Sequence, residues 1–207
     1  MKKHLAGIVS IALLFLVSGQ AQAASFTQNE FTTAQSLDPG MTQVGVFVSL
    51  SNQYNTMYPS LRYGLGGLFE FGAKVGAITN IDDGDSNGVL LGADLKYQLI
   101  RHTQDIPVDM ALDVGFDTSI ISGENVSEVK FSTLFSRDFT LTDRGYRITP
   151  YAGLQVSALY GSYIPKDQTN FYVLAGLEWK ITQKFLALAE LKTGNVTIGG
   201  VGIRFEF

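Results

Sequence analysis

The sequence predicts an all-β protein: one antiparallel, up-and-down sheet of about ten strands, closed into a barrel that crosses a membrane. Three observations predict it. From Gln43 to the carboxyl terminus, apolar residues recur at every second position, the period of a strand with two unlike faces. Turn residues interrupt that alternation at fairly regular intervals. Beyond the amino-terminal stretch no segment approaches the roughly 18 to 20 consecutive apolar residues of a membrane-spanning helix. A chain with this pattern enters a bilayer only as a closed barrel, because hydrocarbon cannot satisfy the backbone groups of an open sheet.

The first strand runs from about Met41 to Leu50, with Val44, Val46, Val48 and Leu50 on one face. A polar loop with Asn52 and Asn55 follows, and Ser60 to Gly66 then carries Leu61, Tyr63 and Leu65. The Gly66-Gly67 pair makes a tight turn into Leu68 to Thr79, where Phe69, Phe71, Ala73, Val75 and Ala77 oppose Glu70, Gly72, Lys74 and Gly76. The fourth strand, about Val89 to Ile100, sets Leu91, Ala93, Leu95, Tyr97 and Leu99 against Asp94, Lys96 and Gln98. The fifth, Val108 to Thr118, alternates most cleanly, with Val108, Met110, Leu112, Val114 and Phe116 facing away from Asp109, Asp113 and Asp117. A soluble sandwich also alternates, but three aspartates on one face of one strand require a polar interior or bulk water there. The sixth strand spans about Val126 to Phe139 and the seventh about Tyr146 to Tyr160, after a Thr-Asp-Arg-Gly turn at 142 to 145. The eighth covers Phe171 to Ile181, the ninth Phe185 to Lys192 and the tenth Val196 to Phe207. Eight or twelve strands are the alternatives to ten; an even number returns both chain ends to the same side.

The connections after odd strands (51 to 58, 80 to 88, 119 to 125 and 161 to 170) are mostly longer or more polar than those after even strands. That predicts long outer loops and short inner turns. The turn from Arg101 to Pro107 and the very short final one depart from it. Residues 24–40 show no period and contain Asp38-Pro39-Gly40, so they read as a periplasmic leader or a small plug ahead of a barrel at 41–207.

The last seven residues, Val201 to Phe207, alternate without a break and end on an aromatic. This ending resembles the closing strand of bacterial outer-membrane β-barrels. The resemblance implies that Val201, Ile203, Phe205 and Phe207 form the signal read by the barrel-assembly machinery, with periplasmic chaperones as further partners. At the other end, Lys2 and Lys3 precede an apolar run from Leu5 to Val17 and then Ala21-Gln22-Ala23-Ala24. That pattern is a secretory signal peptide, cleaved after Ala23 or Ala24; an uncleaved anchor helix is the alternative, which the shortness of the run disfavours. The predicted destination is the outer membrane of a Gram-negative cell, among outer-membrane lipids and lipopolysaccharide, with the barrel as a monomer.

Charge and composition exclude several classes of function. There are 15 basic and 19 acidic residues, and losing Lys2 and Lys3 with the signal peptide moves the formal charge from −4 to −6. An acidic chain offers no electrostatic reason to bind nucleic acid. The absence of cysteine excludes disulfides and thiolate chemistry. No cofactor motif is present.

Carrying the alternation through each strand points Arg62, Glu70, Lys74, Asp94, Lys96, Asp109, Asp113, Asp117, Glu128, Lys130, Glu178, Lys180, Glu190, Lys192, Arg204 and Glu206 inward. Eight strands enclose a space that side chains just fill, whereas sixteen or more leave an open channel. About ten strands lined this way hold either a salt-bridged plug or a narrow wet passage, and the near balance of signs argues against strong ion selectivity. Aromatics near predicted strand ends, among them Tyr97, Phe139, Tyr146, Tyr151, Tyr160, Tyr163, Phe171, Trp179, Phe185 and Phe207, fit interfacial girdles.

Catalysis has little to work with. Enzymes among the outer-membrane barrels, such as lipid A deacylases, phospholipases and omptin-like proteases, resemble one another in needing a histidine near the outer rim. Here His4 lies in the signal peptide and His102 in a predicted inner turn, where it reads as a solvated residue. Paired carboxylates among Asp109, Asp113 and Asp117 are formally available, with nothing to place a substrate. Asp83-Gly84-Asp85-Ser86-Asn87-Gly88 matches the opening of a calcium loop, with Asp94 twelfth, which makes Asp83, Asp85 and Asn87 weak metal candidates. Residues 89–94 read as extended strand, which carries Asp94 up to about 20 Å from Gly88 and favours an acidic hairpin loop. The expected function is a non-enzymatic narrow pore for small polar solutes or a structural envelope barrel. The alternatives are an adhesion barrel acting through its outer loops and, less favoured, a lipid-modifying enzyme.

Overall fold

The computed structural model describes residues 27–80, 87–140, 146–162 and 168–207. Ten strands form one antiparallel sheet: β1 (Thr42–Ser51), β2 (Tyr54–Gly66), β3 (Phe69–Asn80), β4 (Asn87–Ile100), β5 (Asp109–Ile121), β6 (Glu124–Ser136), β7 (Arg147–Tyr160), β8 (Gln168–Lys180), β9 (Phe185–Gly194) and β10 (Ile198–Glu206). Phe139–Thr140 extends β6, pairing with Ile148 and Arg147 of β7 in the same register that sets Ser136 opposite Tyr151. Each strand pairs with the next in sequence, and β10 returns to β1, from Gln43↔Glu206 to Ser51↔Ile198. The barrel is closed, so no strand edge is left to lipid.

The alternation decides which face each side chain takes. Val44, Leu95, Val114, Phe131, Leu154 and Ile203 belong to an outer surface of exposed aliphatic and aromatic residues. An apolar band of this kind is what a barrel presents to hydrocarbon. Val201, Ile203, Phe205 and Phe207 are part of it. Tyr151 is not in the girdle expected of it: it is buried, points inward and donates from its hydroxyl to Glu190 Oε2 at 2.9 Å. Its neighbours Pro150 and Ala152 take the outward positions, so parity along the strand overrides nearness to a strand end.

Connection lengths do not separate the two rims. β1 meets β2 through residues 52–53 alone, and β5 meets β6 through Ser122–Gly123. The expected loops at 51–58 and 119–125 are therefore mostly strand. At the first, Ser51 Oγ accepts the amides of Gln53 and Tyr54 and donates to the Tyr54 carbonyl, a side-chain-built turn that needs no long loop. At the second, Ser122 and Gly123 both have positive φ, 52° and 87°, the backbone of a two-residue hairpin matched to strand twist. Gly67 and Leu68 do the same between β2 and β3, at 58° and 73°. Among the described residues the longest inner connection is 101–108. The signal peptide, Asp83, Asp85, the 142–145 turn, Tyr163 and half of the 161–170 loop lie outside the described residues.

Candidate functional site

The lumen is filled by the chain's own amino-terminal segment. Thr27 to Leu37 has no regular secondary structure, and Thr27 through Ala34 are each 8% exposed or less. Thr27 and Gln28 lie beside Ser51 and Tyr54, level with the β1–β2 turn. The segment then descends to the opposite rim, where Gly40 and Gly64 bond across to start β1. That is the rim where β1 begins and β10 ends.

Three layers of wall side chains hold the segment. In the first, the Glu190 carboxylate accepts the amides of Glu30 and Phe31, both at 2.8 Å, together with the Asn29 side-chain amide at 3.0 Å. Phe31 has a φ of 45°, the left-handed backbone that turns two successive N–H groups toward one anion. In the second, the Glu30 carboxylate lies against Lys130 Nζ at 2.9 and 3.0 Å and Lys192 Nζ at 3.3 Å. Burial alone raises the Glu30 carboxyl, but Lys130, Lys192 and Lys74 outweigh that and hold it well below the usual carboxylate range. In the third, Lys96 Nζ reaches Thr32 Oγ1 and the carbonyls of Thr33 and Gln35 at 2.7–3.0 Å.

Phe31 sits in an aromatic cradle. Its ring stacks on Phe47 with centroids 4.6 Å apart, Tyr58 lies 6.4 Å away, and Arg204 donates to the Phe31 carbonyl at 2.5 Å while covering the Phe47 ring. Glycines make the space. A Cβ at Gly200 would lie 2.4 Å from the Phe31 ring, and one at Gly202 would lie 2.0 Å from Phe47.

Every inward-predicted charge lines the lumen, and most are paired there rather than bordering a passage. Arg62 binds Glu70 and Asp94, the latter at 2.6 Å, with Asp113 at 4.0 Å, and Lys96 adds a 3.1 Å contact to Glu70. Lys74 and Lys130 share Asp117 at 2.9 Å each. Lower down, Lys180 meets Glu206 at 3.0 Å, and Glu178 lies between Arg147 at 3.6 Å and Arg204 at 3.8 Å. The carboxylates of Asp113 and Glu128 accept no hydrogen bond from the described residues. Two cavities beside residues 27–31 hold about 10 Å³ each, on the order of one water. Below the segment a vestibule of about 330 Å³ opens toward the rim where β1 begins, lined by Lys96, Asp109, Asp138, Arg147, Lys180 and Glu206 among others.

Several sequence expectations change here. His102 is not simply solvated, since its Nδ1 lies 3.0 Å from Asp109 Oδ2 and its amide donates to Asp109 Oδ1. Asn87 belongs to the β3–β4 ladder opposite Thr79, so it is not placed as a loop ligand, and Asp94 is committed to Arg62. Among the described residues no group of three or more metal-ligating side chains could hold an ion. The interior is not uniformly polar either: Ile78, Leu90, Ile121, Val126 and Leu159 are buried at the outer ends of their strands. Sequence reasoning missed Asn29, Glu30 and Phe31 because their segment has no period, and it missed Arg147 although parity with Thr149 and Tyr151 points it inward.

Fold and lumen together define the class: a membrane-spanning β-barrel whose interior is occupied by its own chain. It has the fold of the bacterial outer-membrane β-barrels. The β domain of the Bordetella autotransporter BrkA superposes with a TM-score of 0.53 at 12% identity, over 82% of this chain and all of that one. The N-terminal β-barrel domain of Pseudomonas aeruginosa OprF gives 0.42 at 16% identity, over 83% and 100%. The KdgM porin gives 0.41 at 12% identity, over 80% and 99%. No protein-family model matches the sequence, and no curated protein does.

Proposed function

We propose that the chain is a non-enzymatic barrel of the bacterial outer membrane whose lumen is closed at rest, serving as a structural envelope protein. Small polar solutes pass only when the amino-terminal segment leaves its seat. The observation that carries this reading is the unbroken burial of Thr27 to Ala34 across the barrel axis. Near-balanced, mutually paired charges make the same lumen compatible with water once it is vacated. Lipids and lipopolysaccharide surround the apolar outer face, and the terminal Val201, Ile203, Phe205 and Phe207 serve assembly.

Planar-bilayer recording tests it. The full chain is expected to be silent for most of the record, and a Glu30→Gln/Phe31→Ala variant to give discrete conductance steps. Steady conductance from the unaltered chain overturns the closed state. Silence of a folded variant at all voltages overturns the solute path.

A further inference from the structure

We propose that the lumen is a side-chain-selective peptide-binding tunnel, with residues 27–37 as its resident ligand. The class of ligand is an extended peptide in which a carboxamide, a carboxylate and an aromatic side chain follow one another, as in Asn29-Glu30-Phe31. This rests on the closed-barrel reading and goes beyond it by saying what the interior recognises.

The barrel does not need the segment to complete its sheet. The strand ladder closes through β10 and β1, and the backbone of residues 27–37 takes no part in it. Its backbone groups are met instead by wall side chains: the Glu30 and Phe31 amides by Glu190, the Phe31 carbonyl by Arg204, the Asn29 carbonyl by the Tyr58 hydroxyl at 3.3 Å. The Ala34 amide donates to Ser136 Oγ at 3.1 Å and the Leu37 amide to Glu70 at 2.9 Å. Capture by wall side chains leaves the strand ladder intact, whereas a peptide added as a strand would be held by its neighbours' backbone.

Selectivity comes from the three successive side chains. Asn29 is read by Glu190 through both its carboxylate and its carbonyl. Glu30 is read by two lysines from separate strands, β6 and β9, whose charges lose a buried partner without it. Phe31 is read by the Phe47 face and by the glycines of β10, where any Cβ at position 200 would collide with the ring. A filler selected for bulk alone would need none of these matches. The left-handed backbone at Phe31 is disfavoured for a bulky residue, and the Glu190 and Arg204 contacts on either side impose it.

The test uses the full chain with its own segment weakened by Glu30→Gln and Phe31→Ala. A synthetic peptide spanning residues 27–37, labelled at its amino end, is titrated into the detergent-folded variant and followed by fluorescence anisotropy. Saturable binding is expected, at least tenfold weaker for peptides carrying Glu30→Gln or Phe31→Ala. The unlabelled native peptide is also expected to block the variant's conductance. Absence of saturable binding to a variant that shows the heat-dependent gel shift of a folded barrel overturns the inference, as does equal binding of all three peptides. A variant that binds the peptide selectively but never conducts supports the tunnel and counts only against the solute path proposed above. If the double variant does not fold, Phe31→Ala alone takes its place, with the same outcomes.

Discussion

Glu30→Gln is the sharpest perturbation of the closed state, because it keeps the shape of the side chain and removes only the charge. The Glu30 side chain is 4% exposed, and its carboxylate touches Lys130 at 2.9 and 3.0 Å and Lys192 at 3.3 Å. Removing one partner of a buried ion pair costs about 3–5 kcal/mol, most of it the penalty of stranding the other charge. Here neither lysine is wholly stranded: Lys130 keeps Asp117 at 2.9 Å, and Lys192 keeps the Gln155 side-chain oxygen at 2.9 Å. The loss therefore falls at the low end, about 3 kcal/mol, and at about 1.4 kcal/mol per factor of ten it shifts the segment from seated to displaced by roughly 100-fold. The chain has no cysteine, so Ala34→Cys supplies a unique thiol in a fully buried position of the segment. Its labelling rate by a water-soluble maleimide reads the displaced fraction. The rate in Ala34→Cys/Glu30→Gln is expected to exceed that in Ala34→Cys by roughly two orders of magnitude, with the barrel still folded by its heat-dependent gel shift. Equal rates refute the claim that the two lysines hold the segment through Glu30.

Four further outcomes follow from the same contacts. Because the Glu30 carboxyl is depressed in the folded state, its contribution is present above its ordinary value of 4.5 and is lost as pH falls from there through the lowered folded value. The labelling rate of Ala34→Cys, taken relative to an exposed cysteine in the same buffer so that the falling thiolate fraction cancels, should rise on acidification below that point, with a weaker rise in the Glu30→Gln background. Gly200→Val drives a side chain into the Phe31 ring and is expected to loosen the segment by about 1–3 kcal/mol in the same assay, while Gly199→Ala, with open space around its Cβ position, leaves the rate unchanged. Val114→Arg places a charge on the outward face near the middle of β5 and should lower stability by about 2–4 kcal/mol in vesicle unfolding by urea. Lys130→Met leaves Glu30 with Lys192 and Asp117 with Lys74, and should both destabilise the barrel and raise thiol labelling; a change in stability without a change in labelling would mean that Lys130 serves the wall alone.

The two ends of the lumen are built differently. At the outer ends of the strands Ile78, Leu90, Ile121, Val126 and Leu159 form part of one buried apolar cluster with Phe31, Phe47 and Tyr58. At the other end the vestibule is lined by charged and amide side chains. There the Gln35 side-chain amide donates to Asp109 and Asp138, and the Ser36 amide donates to Gln98.

How much was legible follows from what each signal depends on. Strand number, order and the inward and outward sets are local: a residue's face depends only on its parity within a strand, and apolar residues on the outer face fix that parity against the bilayer. Thus Asp109, Asp113 and Asp117 could be placed inside from nine consecutive residues. Turn lengths were less legible, because Ser51 and the Ser122–Gly123 backbone close their hairpins with residues that equally suit a longer loop. The aperiodic stretch at 24–40 reads as a leader or a small plug, but which residues anchor it in the lumen was not legible, since nothing in Asn29-Glu30-Phe31 repeats or alternates. Its meaning lies in Glu190, Lys192 and Arg204, about 160 to 173 residues away, and in Lys130, 100 residues away. The sequence by itself determined a closed transmembrane sheet with a charged interior. Only the tertiary structure decided that those charges grip the chain's own peptide, because a contact between an aperiodic segment and a closed wall exists only once the wall has closed.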